Sequence, residues 1–271
     1  RVAPDEASIS DAELEELCAT FGELNPEQHA RARSFFYAHR HLFSLTPKTP
    51  TVSRLPPHRI EIREGARPST SPTFHQSPEK RKALREIVKE YRNKGVTRPS
   101  TSEFSAPMFM VRKADGTWRY VVDYRNLNLI TIPDKFPLPR LDDILDSMGG
   151  GKVFSTMDLA TGFLQIPVLE EDKHKTAFLH PDGLDEFNVM PMGLTNSPAT
   201  FQRAMNMVLS GLSWKMCLCF MDDVMVFTQT FDEHLDALGE IFSRFSEHGL
   251  TLKRTKCSFF KSEIRSLIGD G

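Results

Sequence analysis

Apolar positions along this chain recur at two spacings, and each spacing predicts a different kind of element. Leu84, Ile87, Val88 and Tyr91 fall at i, i+3, i+4 and i+7, which predicts a helix opened by Ser77-Pro78 and stopped by Gly95. Ser10-x-x-Glu13 is a capping box ahead of Leu14, Leu17, Cys18 and Phe21. Asn25-Pro26 opens a second helix carrying Ala32, Phe35, Phe36, His39, Leu42 and Phe43. Leu141, Ile144, Leu145 and Met148 mark a short helix over 139–148, ended by Gly149-Gly150-Gly151. That triple glycine lacks the trailing Lys-Ser/Thr of a phosphate-binding loop and reads as a helix stop. Ser197-Pro198 precedes Phe201, Met205, Val208 and Leu209, while Thr230-x-x-Glu233 precedes Leu235, Leu238, Ile241, Phe242 and Phe245, with Gly249 as the stop. Shorter apolar runs predict strands: two in 108–122 around Asp115-Gly116, and two in 176–190 turning at Pro181-Asp182-Gly183. Proline-rich 44–78 reads as an irregular connection. Helices mixed with antiparallel hairpins predict an α+β layer fold.

Composition narrows this little. At 271 residues, 39% hydrophobic and 26% charged, the chain is an ordinary globular protein of one large or two small domains. No apolar run approaches the roughly 18 residues of a membrane span, and no secretory signal opens the chain. The first residue is Arg, so the chain is expected to be a piece of a longer product. Cys18, Cys217, Cys219 and Cys257 show no metal spacing and read as free thiols. The net charge of −2 is unevenly spread: residues 1–28 hold eight acids against Arg1 alone. Residues 79–98 hold eight Lys/Arg against three Glu, and residues 253–265 hold five against Glu263. Local basic surface of this kind attracts phosphate backbones, although a solvated helix face accounts for it nearly as well.

The chemistry concentrates at Cys217–Phe227, where two apolar runs meet at Asp222-Asp223. Hairpin turns favour Asn-Gly or Asp-Gly, and no glycine stands here. Adjacent carboxylates repel unless a cation neutralises them, and oxygen-rich sites suit Mg²⁺. A plain acidic turn is the competing reading. A third carboxylate, Asp158, ends the strand-like run Val153–Leu159. Three such acids on one sheet edge could hold two metals about 3.5–4 Å apart, the arrangement that drives phosphoryl transfer.

In order along the chain stand P-H-R-I-E-I (57–62), G-V-T-R-P-S (95–100), W-R-Y-V-V-D-Y-R-N-L-N (118–128) and F-P-L-P-R-L-D-D-I (136–144). F-S-T-M-D-L-A-T-G-F-L-Q-I (154–166), K-T-A-F (175–178) and M-P-M-G-L-T-N-S-P-A-T-F-Q (190–202) follow, then F-M-D-D (220–223) and G-L-T-L-K-R-T-K-C-S-F (249–259). This succession resembles the reverse transcriptase of gypsy-type (Metaviridae) LTR retrotransposon Pol polyproteins, from about His58 to Lys261. The resemblance implies a right-hand polymerase with fingers and palm, an antiparallel palm sheet backed by helices, and an end before the thumb. It divides the chain into a variable segment at 1–57, fingers at 58–132, palm at 133–165, fingers again at 166–196, and palm at 197–271.

By the same resemblance, Asp158, Asp222 and Asp223 hold two Mg²⁺, with Mn²⁺ able to substitute, and Lys256 is the lysine that protonates pyrophosphate. Arg119, with Arg112 or Lys113, grips the triphosphate. Phe163 excludes a ribose 2′-hydroxyl, and Gln165 and Met192 lie near the incoming base. Phe220, Met221, Pro191 and Gly193 face primer and template. The implied partners are an RNA template, a DNA primer, dNTPs and the remaining Pol domains (protease, RNase H, integrase), in the cytoplasm within a virus-like particle or in the nucleus. Three positions depart from the family: Phe220 replaces the usual Tyr, Met192 the usual Gln or Phe, and S-L-I-G-D-G (266–271) the L-G-H segment. An inactive remnant that at most binds nucleic acid is the alternative.

Overall fold

The computed structural model describes residues 9–43, 54–68, 70, 76–112, 116, 118–220 and 222–263. Their contacts form two compact units. One gathers the described residues of 1–48, 137–162 and 202–271, the other those of 49–136 and 163–201.

The first unit is built on a four-stranded antiparallel sheet, ordered β7 (Cys217–Phe220), β8 (Asp223–Thr228), β4 (Val153–Asp158) and β9 (Ser258–Lys261). The run Val224–Phe227 is buried at every position because β8 is central and both of its faces are covered. On one face Met225 and Phe227 pack with Leu218 and with Ile144 and Met148 of α5 (Leu141–Met148). Strand alternation turns Val224 and Val226 to the other face. Helix α7 (Phe231–His248) lies against β8 and β4 and buries Leu238, Ile241, Phe242 and Phe245. It begins at the expected capping box, Thr230 with Glu233, and ends at Gly249, whose φ of 72° supplies the left-handed stop. Helices α1 (Asp11–Cys18) and α2 (Pro26–Ala38) belong to this unit as well. Their caps at Ser10 and Asn25 are both reciprocal boxes. The helix expected through Phe43 stops at Ala38, a 3-10 turn takes Arg40–Leu42, and Phe43 bridges Leu252 instead.

The second unit carries a five-stranded sheet, ordered β1 (Thr97–Pro99), β6 (Gly183–Phe187), β5 (Phe178–His180), β2 (Ala106–Arg112) and β3 (Trp118–Val122). Both expected hairpins are present as β2–β3 and β5–β6. The antiparallel sheet expected of the palm is the sheet of the first unit; here the two hairpins are joined by a parallel pairing of β2 with β5, Ala106 opposite Phe178. Leu84 and Val88 of α3 (Pro78–Asn93) close its core with Met108, Met110, Phe178 and Phe187. Helix α4 (Arg125–Ile130), too short to show a period, was not expected, and neither was the 3-10 turn Glu170–Thr176, whereas the turn or helix start read at Ala160-Thr161-Gly162 is present as the 3-10 turn Gly162–Gln165. No helix among the described residues is long and apolar enough to cross a membrane.

Much of the basic sequence is engaged internally. Arg85 pairs with Asp182, Arg92 with Asp185, Lys94 with Glu90, and Arg98 with Glu170 and Glu186. In the second basic stretch Arg254 meets Glu13 and Glu16, Lys256 meets Asp158, and Lys261 donates to the Thr20 carbonyl. The charge that sequence assigns to phosphate attraction is therefore partly neutralised by the fold.

Candidate functional site

Asp158 and Asp223 sit directly opposite each other at the same end of β4 and β8, the last register pair of that ladder. Phe220 closes the β7–β8 ladder opposite Asp223. Asp222 stands in the connection, its carbonyl accepting from the Leu159 amide at 3.3 Å. The hairpin and the strand end thus bring all three acids to one edge of the sheet. Lys256, on the 3-10 turn Arg254–Lys256, reaches the same edge and donates from Nζ to Asp158 Oδ2 at 2.7 Å. Met221 lies outside the described residues.

The electrostatics of this edge are strained. Burial, reinforced by the charges of Asp158 and Asp223 and opposed by Lys256, pushes the Asp222 carboxyl up to about 6. Burial and the Asp158 charge raise Asp223 in the same way. The hydrogen bond to Asp158 strengthens the Lys256 ammonium's hold on its proton. Asp222 Oδ1 is buried without a hydrogen-bond partner, which is costly for a carboxylate oxygen. An unmatched buried oxygen among like charges fits a hard divalent cation. As the side chains stand, no group of three or more His, Cys, Asp or Glu among the described residues is arranged to hold an ion.

The backbone beyond Asp158 is strained too. Thr161, a non-glycine residue, has φ of 52°, and its hydroxyl bonds the Ala160 carbonyl at 2.6 Å. The chain then enters the turn Gly162–Gln165 that carries Phe163 and Gln165.

In the second unit the candidate residues fall into two groups. The Phe163 ring is half-buried and meets Phe201 edge-on at 5.5 Å, while Gln165 is buried. Met192 is exposed, and Arg119 Nη2 reaches its Sδ at 3.2 Å. Arg112, at the end of β2, lies over the Trp118 ring, which Lys80 also approaches. Lys113 lies outside the described residues. The Pro191 carbonyl accepts from Ser197 Oγ at 3.2 Å, and Gly193 adopts φ of 96°.

Two asparagines that sequence reasoning passed over brace this loop. Asn128 donates to the Gly193 carbonyl at 2.8 Å and accepts from the Thr195 amide at 2.9 Å. Asn196 donates to the Ile132 carbonyl at 2.8 Å and accepts from the Asp134 amide at 2.9 Å. Both lie within quoted motifs, and an amide that can donate and accept at once is the residue type such a clamp needs.

The profile of the reverse transcriptase (RNA-dependent DNA polymerase) family matches residues 111–268, more than half of the chain, and the chain belongs to that family. It is 43% identical over 185 residues to the Pol polyprotein of transposon 297 of Drosophila melanogaster, covering 66% of this chain and 18% of that protein. It is 32% identical to the Pol polyprotein of Drosophila transposon 412, covering 83% of this chain and 19% of the relative. The Tf2-3 transposon polyprotein of Schizosaccharomyces pombe is 31% identical, with 69% and 14% covered. The chain thus spans about a fifth of these relatives or less, and they agree with a gypsy-type element as its source. Among solved structures, the foamy viral protease-reverse transcriptase in complex with RNA/DNA hybrid matches 98% of this chain and 36% of its own. Its TM-score is 0.86 at 23% identity, which establishes the α+β fingers-and-palm fold.

Proposed function

We propose that this chain is the fingers-and-palm segment of an RNA-directed DNA polymerase that adds deoxynucleotides to a primer 3′-hydroxyl. The observation that carries this reading is the register of Asp158 against Asp223, with Asp222 beside them and its buried Oδ1 unmatched. The first unit takes the palm role within 133–165 and 197–271, and the second the fingers role within 58–132 and 166–196. The relatives are named Pol polyproteins, and foamy viral structures are described in complex with RNA/DNA hybrid and double-stranded DNA. Those descriptions support a primer-template as the partner and a protease joined to such a polymerase; RNase H and integrase elsewhere in the polyprotein belong to the same proposal.

Two Mg²⁺ ions, when bound by Asp158, Asp222 and Asp223, would lower the pKa of the attacking hydroxyl and neutralise charge on the leaving pyrophosphate. The residues of the chain do the remaining work. Lys256 Nζ, 2.7 Å from Asp158 Oδ2, carries protons of which it can release one to pyrophosphate. Arg119, with Arg112 or Lys113, offers cationic donors to a triphosphate. Phe163, backed by Phe201, presents a ring that a 2′-hydroxyl would strike. Phe220 keeps a ring beside the aspartates at the primer end without a hydroxyl.

The test is primer extension on poly(rA)·oligo(dT) with Mg²⁺ or Mn²⁺ by the polymerase containing this chain. Asp158→Asn should lower the rate at least 10²–10³-fold, the scale of removing one preorganised electrostatic partner. Extension that survives Asp158→Asn would place the chemistry elsewhere. No extension by the unaltered protein would favour the inactive remnant.

A further inference from the structure

Residues 9–43 lie outside the matched family profile at 111–268, yet they are built into the unit that carries the aspartates. Phe36 meets Phe259 edge-on at 4.6 Å, Phe21 meets Phe260 at 5.2 Å, and Phe43 meets Phe242 at 5.8 Å. The backbone joins in as well. The Gly22 amide donates to the Phe259 carbonyl at 3.1 Å, and the Leu252 amide to the Leu42 carbonyl at 2.7 Å. Approach at Gly22 is so close that a Cβ there would fall 1.6 Å from the Phe260 carbonyl oxygen.

The stretch from Leu250 to Lys261 is therefore held from two sides. On one side the Lys253 amide donates to the Asp158 carbonyl at 2.8 Å, and β9 pairs with β4. On the other stand α1 and α2. Arg254, two residues before Lys256, points at α1: Nη1 donates to Glu16 Oε2 at 2.8 Å and to the Glu13 carbonyl at 3.3 Å, and Nη2 stands 3.6 Å from Glu13 Oε1. Its side chain is only 15% exposed, so the arginine end of the clasp is shielded, although Glu16 at the other end is open to solvent. Arg254 and Lys256 share one short 3-10 turn, whose closing bond runs from the Lys256 amide to the Lys253 carbonyl. Clasping Arg254 fixes the turn, and the turn fixes where Lys256 Nζ can reach.

We propose that Arg254, clasped by Glu13 and Glu16 of the N-terminal helix pair, is a positioning residue that holds Lys256 against Asp158. The part concerning turnover rests on the polymerase reading above, whereas the placement of the lysine does not. Residues 9–43 then act as a buttress of the reaction centre as well as cover for its core.

The placement is tested on the 271-residue chain by the rate at which an amine-reactive reagent modifies Lys256, read by mass spectrometry. Exposed Lys215 serves as the internal reference, and Asp158→Asn sets the rate of a released Lys256. Arg254→Ala should accelerate modification of Lys256 about two- to fivefold toward that limit, the weight of a partly exposed ion pair, with Lys215 unchanged. Glu16→Gln, at a side chain 69% exposed and unable to unfold the chain, should act in the same direction more weakly. Gly22→Ala, which wedges the helix pair away without touching a charge, should do likewise. An unmoved Lys256 in Arg254→Ala would overturn the proposal, and so would Lys256 and Lys215 accelerating together, since that is general loosening.

Turnover supplies the second reading. In single-nucleotide addition Arg254→Ala should lower kcat with KM for the nucleotide little changed, and should add nothing in a Lys256→Ala background. Additive losses would show a structural role only. Absence of extension by the unaltered protein would sink the polymerase reading and leave the modification rates to judge the clasp.

Discussion

Each unit buries carboxylates, and the two treat them in opposite ways. In the second unit Asp185 is fully buried, yet Arg92 donates to it through two nitrogens, and His180 and Thr97 also stand within bonding distance. Burial would raise its carboxyl, but the hydrogen bonds from Arg92 and His180 bring it down to about 2. Asp172 nearby takes the Ile60 amide at 2.9 Å and Lys175 at 2.6 Å. In the first unit Asp222 has a buried oxygen with no partner and a carboxyl pushed up to about 6 by burial and by its two neighbours. Matched buried charge stabilises a fold or leaves it indifferent; unmatched charge destabilises it and persists where it is used. The contrast separates a scaffold from a candidate reaction centre without any knowledge of the family.

The largest effect should come from breaking a matched site. Asp185→Ala strands Arg92, His180 and Thr97 without their acceptor and should cost about 3–5 kcal/mol in urea unfolding. A loss under 1 kcal/mol would mean that the network is solvated and the contrast overstated.

Histidines test whether burial alone explains the difference. His58 in the second unit and His234 in the first are both buried, and burial lowers both to about 4 from 6.5. His58 bonds Thr200, and His234 lies between Ser155 and Thr228, so each folded state holds its imidazole neutral. Because the folded value is depressed, the stability is present above pH 6.5 and is lost as pH falls toward 4. Each should contribute up to about 3 kcal/mol to that loss, with the same sign in both units. His58→Gln and His234→Gln should each flatten the curve of unfolding free energy against pH. A histidine whose removal left the slope untouched would bind its proton equally well in the folded and unfolded chain, and burial would not be acting on it.

Asp222 should show the opposite slope. Its folded carboxyl is raised from 3.8 to about 6, so the folded state binds the proton more tightly and stability falls as pH rises through that window. Discounted for partial exposure, Asp222→Asn should stabilise the chain by about 1–2 kcal/mol at pH 8 without divalent metal, and by nothing below pH 4. Thermal melts at the two pH values check this. Destabilisation at pH 8 would place Asp222 among the matched carboxylates and remove the basis of the comparison.

How much of this was legible beforehand depended on the range of the interaction. The hairpin Cys217–Phe227 and the strand ending at Asp158 were legible because short apolar runs, aromatic and β-branched content and paired acids are local signals. That Asp158 would face Asp223 and not a neighbour follows from register, which the motif order implied only through the resemblance. The Lys256–Asp158 pair spans nearly a hundred residues and the Arg254–Glu16 clasp far more, and no periodicity encodes either. Asp185 sits in a five-residue strand of mixed polarity where nothing local announces burial, so its network with Arg92 was invisible. The basic clusters were only partly legible for the same reason: sequence counts charges, whereas partners such as Asp182, Asp185 and Glu186 are chosen by the fold.

The smallest effect extends the comparison from carboxylates to helix starts. In the first unit Thr230 caps α7 reciprocally: its hydroxyl accepts from the Glu233 amide at 3.3 Å, and Glu233 accepts from the Thr230 and Gln229 amides at 3.2 and 3.1 Å. In the second, Ser77 caps α3 through a single 3.4 Å bond from the Lys80 amide, and a lysine at that third position can return nothing. Proline at the first position of α3 leaves one amide fewer to satisfy. Thr230→Ala should therefore cost about 1 kcal/mol and Ser77→Ala about half that. The gap is small but measurable by paired chemical denaturation at constant pH. Equal losses would show that the reciprocal Glu233 bonds add nothing, and that the two units differ in their buried charges alone.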